Sequence, residues 1–172
     1  MTGSPLIRQA VVPSPMGDLV AMTQGDQIVA LGWANDFGRI TAHINRHLGQ
    51  WTPDGSQAPP VILGALTDYF SGDIHALSGL DVHPPGTPFQ RQVWSTLRTI
   101  PPGQTWSYKQ LAEAVGRPRA FRAVAQANGA NPIPLIIPCH RVIAADGSIG
   151  GFSCGLDRKL WLLDHEGVVV AS

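Results

Sequence analysis

The run His83-Pro84-Pro85-Gly86-Thr87-Pro88 sets three prolines and a glycine in six residues, and neither a helix nor a central strand can cross it. It predicts a linker over 83–88 between two lobes, 1–82 and 89–172. The chain has 172 residues, 44% hydrophobic and 14% charged, so each half carries apolar material for a small core. That content excludes disorder, and no run approaches the roughly 18 uninterrupted apolar residues of a bilayer span. The opening MTGSPLIRQA lacks the basic start and long apolar stretch of a signal peptide. Two cysteines, Cys139 and Cys154, make neither a disulfide framework nor a Cys-rich zinc site. A reducing, cytoplasmic setting is expected.

Formal charge is zero overall, yet it changes sign across that linker. Residues 1–85 hold three arginines (Arg8, Arg39, Arg46) against seven aspartates; residues 86–172 hold nine Lys/Arg against five Asp/Glu. Between 91 and 141, seven basic residues face one acid, Glu113. A half this basic suits a polyanion, although a solvated basic surface has the same composition.

The first half reads as strands followed by helices. Residues 18–33, DLVAMTQGDQIVALGW, are two β-rich runs around Gly25-Asp26 and predict a hairpin. Residues 37–49 and 59–72 predict helices, one stopped by Gly49, the other opened by prolines and closed by Gly72. An antiparallel sheet with helices follows. The second half reads as mainly helical with short strands. Thr87 and Gln90 form a capping box with Pro88 at the first helical position, and Phe89, Val93, Leu97 and Ile100 line one face. Ser107 and Gln110 form a second box ahead of Tyr108, Leu111, Ala112 and Val115, which Gly116 ends. A further helix is expected over 118–128, ending at Gly129.

The last two helices make a helix-turn-helix pattern. Lys109 on the first, Arg117 at the turn, and Arg119 and Arg122 on the second can hold phosphates, with Gln90 a weaker candidate. Ala120, Ala123, Ala125 and Ala127 leave few side chains to read base edges but permit close approach to a groove. DNA binding with weak sequence preference is one reading. A helical hairpin with a charged exterior is the other.

The stretch NPIPLIIPCHRVI (131–143) fences Leu135-Ile136-Ile137 with prolines and then delivers Cys139 and His140 together. It is a poor central strand and a rigid mount for two reactive side chains. A lone cysteine is most often a small buried hydrophobe, but His140 and Arg141 beside Cys139 favour its thiolate. Glu166 falls in the last turn of a helix expected over 156–166, where an exposed acid opposes the helix dipole. Contact with His140 would give it a purpose, as a carboxylate orienting the imidazole that takes the thiol's proton.

PCHRVI preceded by NPIPLII, with SYKQLA and FRAVAQANGANP upstream and WLLDHEG downstream, resembles the O6-alkylguanine-DNA alkyltransferases. The resemblance is dense from Gly86 to Gly167 and weak before. It implies an α/β fold of two lobes, the first ribonuclease-H-like, the second carrying helix-turn-helix and active site. It implies a protein that flips O6-alkylguanine, and O4-alkylthymine, out of double-stranded DNA from the minor groove and transfers the alkyl group irreversibly to Cys139. His140 would be the base, acting through a water, and Glu166 would orient it. Arg122 would replace the flipped nucleotide in the stack, and Tyr108 would crowd its phosphate and donate a proton to guanine. Asn131 would join the recognition helix to the active-site strand. Ser153 would lie beside O6, backbone groups of Cys139 and Val142 would read the guanine edge, and Phe152, Pro134 and Cys154 would complete the pocket. No cofactor is implied. A monomer is, with cooperative binding along DNA left open.

The chain also departs from that family's pattern. Phe152 stands where a tyrosine is frequent, keeping the ring and losing the hydroxyl. Cys154 replaces a glycine and would narrow the pocket against bulky adducts. Phe121 and Ala125 are larger than the residues common in the recognition helix. The cysteines of a structural zinc found in some relatives are missing, and His43 and His47 are expected to form a solvated helix face, so no metal is expected. Three other readings compete. Cys139, His140 and Glu166 together argue against a non-catalytic lesion binder, the basic helix pair against a cysteine hydrolase, and the alanine-rich helix against a transcription regulator.

Overall fold

The structure, a computed structural model, describes residues 4–171. The chain divides into two compact units, Met1–Gly86 and Thr87–Ser172.

In the first unit β1 (Leu6–Val12), β2 (Leu19–Gln24) and β3 (Gln27–Trp33) form an antiparallel meander, and the short β4 (Thr52–Pro53) adds parallel to β1. The strand order is β3-β2-β1-β4, a mixed sheet where sequence reading expected an antiparallel one. β2 and β3 are the expected hairpin. β1 went unread because its apolar residues point both ways: Ile7 and Val12 are buried while Leu6 and Val11 are exposed. Helices α1 (Phe37–Leu48) and α2 (Pro60–Phe70) lie where the glycines and prolines placed them. Ile40 and Ile44 of α1 pack on Ile7, Met22, Val29 and Ala30 of the sheet.

The expected linker is not free chain throughout. The His83 N–H donates to the Ile28 carbonyl at 2.8 Å, and the His43 ring Nε2 donates to the Pro85 carbonyl at 2.6 Å. These bonds hold 83–85 on the first unit. They also correct the solvated-face expectation for His43, which is buried because its ring is committed to Pro85.

The second unit contains α3 (Pro88–Leu97), α4 (Tyr108–Val115), α5 (Phe121–Gly129) and α6 (Leu156–His165). Two-residue strands β5 (Trp106–Ser107) and β6 (Val142–Ile143) pair in parallel. Both capping boxes form. The Gln90 N–H donates to Thr87 Oγ1 at 3.1 Å and the Gln110 N–H to Ser107 Oγ at 3.1 Å, each with its return bond. α3 then ties down the helix pair. Gln92 Nε2 donates to the Val115 carbonyl at 3.0 Å and Trp94 Nε1 to the Ala127 carbonyl at 2.7 Å, so one helix bonds carbonyls in the last turns of both α4 and α5.

The third helix begins at Phe121 and not at Pro118. Residues 117–120 form a turn closed by the Ala120 N–H on the Arg117 carbonyl at 2.9 Å, so Arg119 precedes the helix. Among the described residues no helix is long and apolar enough to cross a membrane.

Candidate active site

The chain from Asn131 to Cys139 makes no strand, yet every residue in it is buried. Prolines at 132, 134 and 138 supply no N–H, so the loop is braced by other means. Asn131 Nδ2 donates to the Ile137 carbonyl at 2.8 Å, and its Oδ1 accepts from the Ile133 N–H at 2.9 Å. Leu135, at φ 79°, is the sole non-glycine with positive φ among the described residues, a conformation costing about 1–2 kcal/mol. Strain of this kind persists where surrounding packing over-determines it, and it collects at functional sites. Cys139, His140 and Arg141 follow as one 3-10 turn leading into β6.

Glu166, at the end of α6, gathers this turn. His140 Nε2 donates to Glu166 Oε2 at 2.9 Å, with both side chains fully buried. Arg141 forks onto the same carboxylate, Nε to Oε1 at 2.8 Å and Nη2 to Oε2 at 3.0 Å, and its Nη1 donates to the Ile100 carbonyl at 2.7 Å. Burial pushes His140 below its ordinary value, against the pull of Glu166. Burial alone would raise Glu166, but the hydrogen bonds and charges of its two partners hold it well below the usual carboxylate range. Arg141 gives the buried Glu166 carboxylate a permanent positive partner. The bond from Nε2 leaves the lone pair on Nδ1, which has no protein partner.

A cavity of about 340 Å³ opens onto Cys139. Tyr108 lines it from α4, Ala125, Asn128 and Gly129 from α5, and Gly151, Phe152 and Ser153 from the segment after β6. The Ser153 hydroxyl donates to the Gly129 carbonyl at 2.7 Å, pinning that segment to the helix. Burial, then the nearby Cys139 charge, raise the Tyr108 hydroxyl above its ordinary value, so it stays protonated at neutral pH. The other expected pocket residues, Pro134, Val142 and Cys154, are buried but not among those lining the cavity.

Lys109, Arg117, Arg119 and Arg122 are all exposed, and none pairs with a carboxylate among the described residues. Arg122 sits on α5, the helix that supplies one wall of the cavity. Beside it Phe121 is 47% exposed and meets Tyr108 edge-on, ring centroids 6.1 Å apart. Gln90 differs: its Oε1 is committed to the capping box.

The sequence matches the family model for the DNA-binding domain of 6-O-methylguanine DNA methyltransferase over residues 88–168. It is 41% identical over 163 residues to the methylated-DNA–protein-cysteine methyltransferase of Salmonella typhimurium, an alignment covering 92% of this chain and 95% of that one. The chain belongs to the methylated-DNA–protein-cysteine methyltransferase family. Among solved structures it resembles Mycobacterium tuberculosis OGT in complex with DNA, with TM-score 0.75 and 37% identity, covering 94% of this chain and 92% of that one. It also resembles the O6-methylguanine-DNA methyltransferase of Pyrococcus kodakaraensis, with TM-score 0.65 and 25% identity, covering 94% and 99% of the two chains.

This methyltransferase-family site holds one further group that sequence reasoning missed. Lys159 is fully buried, its Nζ donating to the Val142 carbonyl at 2.7 Å and the Gly151 carbonyl at 2.8 Å. Burial draws its ammonium down to about 8, while the Cys139 charge pulls the other way. It thus ties the strand after Cys139 to the cavity wall, near enough for its charge and that of Cys139 to act on each other. Gly150, at φ 71°, holds the left-handed conformation that favours glycine, where this segment passes Ala144, Lys159 and Tyr108. The available signal was Lys159 standing three and four residues before Leu162 and Leu163, on the buried stripe of α6.

Proposed function

We propose that this protein repairs DNA by moving the alkyl group from O6 of guanine to its own Cys139, once per molecule. The observation that carries this reading is the buried Glu166–His140 pair adjoining a buried cysteine that lines a cavity of about 340 Å³. Neutral His140, its Nε2–H held by Glu166, takes the thiol proton at Nδ1 through a water. The thiolate sulfur then bonds the alkyl carbon as the carbon–oxygen bond breaks. The electron pair leaves into the guanine through O6, and the protonated Tyr108 hydroxyl, on the cavity wall, supplies a proton to the base. The thioether product has no leaving group, so the protein is consumed.

The target base must leave the duplex first, at a cost of about a few kcal/mol. Arg122, exposed beside Phe121 on α5, takes the vacated place from the minor groove, and Lys109, Arg117 and Arg119 hold phosphates. Small residues along α5 favour lesion over sequence. The strand order β3-β2-β1-β4, with an antiparallel meander and β4 parallel to β1, supports a ribonuclease-H-like reading of the first unit. Two cysteines outside any disulfide suit a reducing, cytoplasmic setting.

Replacing Cys139 by serine tests the reading. Transfer from an O6-methylguanine duplex should vanish while binding of that duplex stays within a few-fold. Equal loss of both would make Cys139 structural.

A further inference from the structure

The cavity wall contains a side-chain amide oxygen without a hydrogen bond. Asn128, in the last turn of α5, is 6% exposed, and its side-chain Oδ1 is buried without a hydrogen-bond partner. Asn131, three residues on, shows what a structural asparagine does here: both ends of its amide are bonded to backbone, at 2.8 and 2.9 Å. The other polar side chains of the wall are also engaged, Ser153 with the Gly129 carbonyl and Tyr108 with the Gly151 backbone. An unpaired amide oxygen in a buried wall destabilises the fold, and an apolar side chain of the same size would not. Such a cost is kept where a ligand completes the bonding.

We propose that Asn128 is a substrate-contact residue whose carboxamide hydrogen-bonds the extruded purine and holds it in register with the Cys139 sulfur. This rests on the transfer reading above. A purine edge carries ring-nitrogen acceptors and, in guanine, an exocyclic amine donor, so a side chain with one donor and one acceptor group has a match at the edge that faces it. The position also separates labour on one helix. Arg122, at its exposed start, acts on the duplex; Asn128, at its buried end, acts on the base.

The test is Asn128→Leu, which keeps the size and removes the hydrogen bonding. Methyl transfer to Cys139 is timed with an O6-methylguanine duplex and with the free O6-methylguanine base, alongside Tm and affinity for undamaged duplex. Loss of one base contact should slow both reactions about tenfold and equally, with Tm unchanged or raised and undamaged-DNA affinity unchanged. Wild-type rates in the variant would overturn the proposal. So would a slowing that comes with a lowered Tm and weakened DNA binding, which would make Asn128 structural. Absence of transfer by the unaltered protein would instead overturn the repair reading itself.

Discussion

His140 donates through Nε2 to Glu166 at 2.9 Å, and neither side chain reaches solvent. That single bond decides which imidazole nitrogen keeps a lone pair, and so which one can accept a proton. The same carboxylate is also the only partner of the Arg141 fork among the described carboxylates, so Glu166 serves orientation and charge balance together.

Glu166→Gln should therefore damage both. It leaves a buried guanidinium without its counter-charge, which typically destabilises by about 3–5 kcal/mol. Repair should slow by roughly 10²–10⁴, the scale of a misplaced proton acceptor. Urea denaturation and single-turnover methyl transfer check the two separately. Unchanged stability would show that the Arg141–Glu166 bonds contribute little in solution.

Acid should destabilise the fold with a defined sign. His43 and His140 are both held below 6.5 in the folded chain, so the unfolded chain takes up protons first as pH falls. Stability is fully present above that value and declines below it. Glu166, also depressed when folded, adds loss of the same sign as pH drops through the carboxylate range near 4.5. Thermal melts from pH 8 to pH 4 should show Tm on a plateau above neutrality and falling below it. A Tm that rose on acidification would contradict the burial argument.

Arg122→Ala should separate base extrusion from chemistry. Repair of an O6-methylguanine duplex should slow far more than reaction with the free O6-methylguanine base, because only the duplex requires a residue to replace the flipped nucleotide. Equal slowing of the two would remove Arg122 from that step.

Lys159→Met should leave the affinity for undamaged duplex intact, since Nζ faces two backbone carbonyls and not the exposed surface. Transfer should slow by roughly 10²–10³, as when one preorganised charge or donor is lost beside a reacting atom. Arginine should not restore it, because a planar guanidinium does not fit a fully buried ammonium site. A wild-type transfer rate in Lys159→Met would reduce the lysine to scaffolding.

Much of the helical unit was legible because its signals are local. Thr87 with Gln90 and Ser107 with Gln110 form their capping boxes in the fold, and Gly116 ends α4 in the left-handed conformation that glycine tolerates. Cys139, His140 and Glu166 were also legible as candidates, since a carboxylate at a helix C-terminus needs a partner. What escaped depends on tertiary context. β1 has no one-sided pattern, and two-residue strands such as β4 and β6 exist only through their neighbours. Arg119 looked helical because Pro118 resembles a helix start, whereas the chain first makes a turn. Lys159 and Asn128 carry polar side chains that composition assigns to solvent, and only the fold shows them facing backbone carbonyls and a cavity.

The most direct test of the central claim is to incubate the protein with a duplex containing one O6-methylguanine, digest it, and weigh the peptides. One methyl per protein, on the peptide bearing Cys139 and saturating there, is expected. A methyl on Cys154, continued turnover past one equivalent, or tight duplex binding with no mass gain would each contradict it.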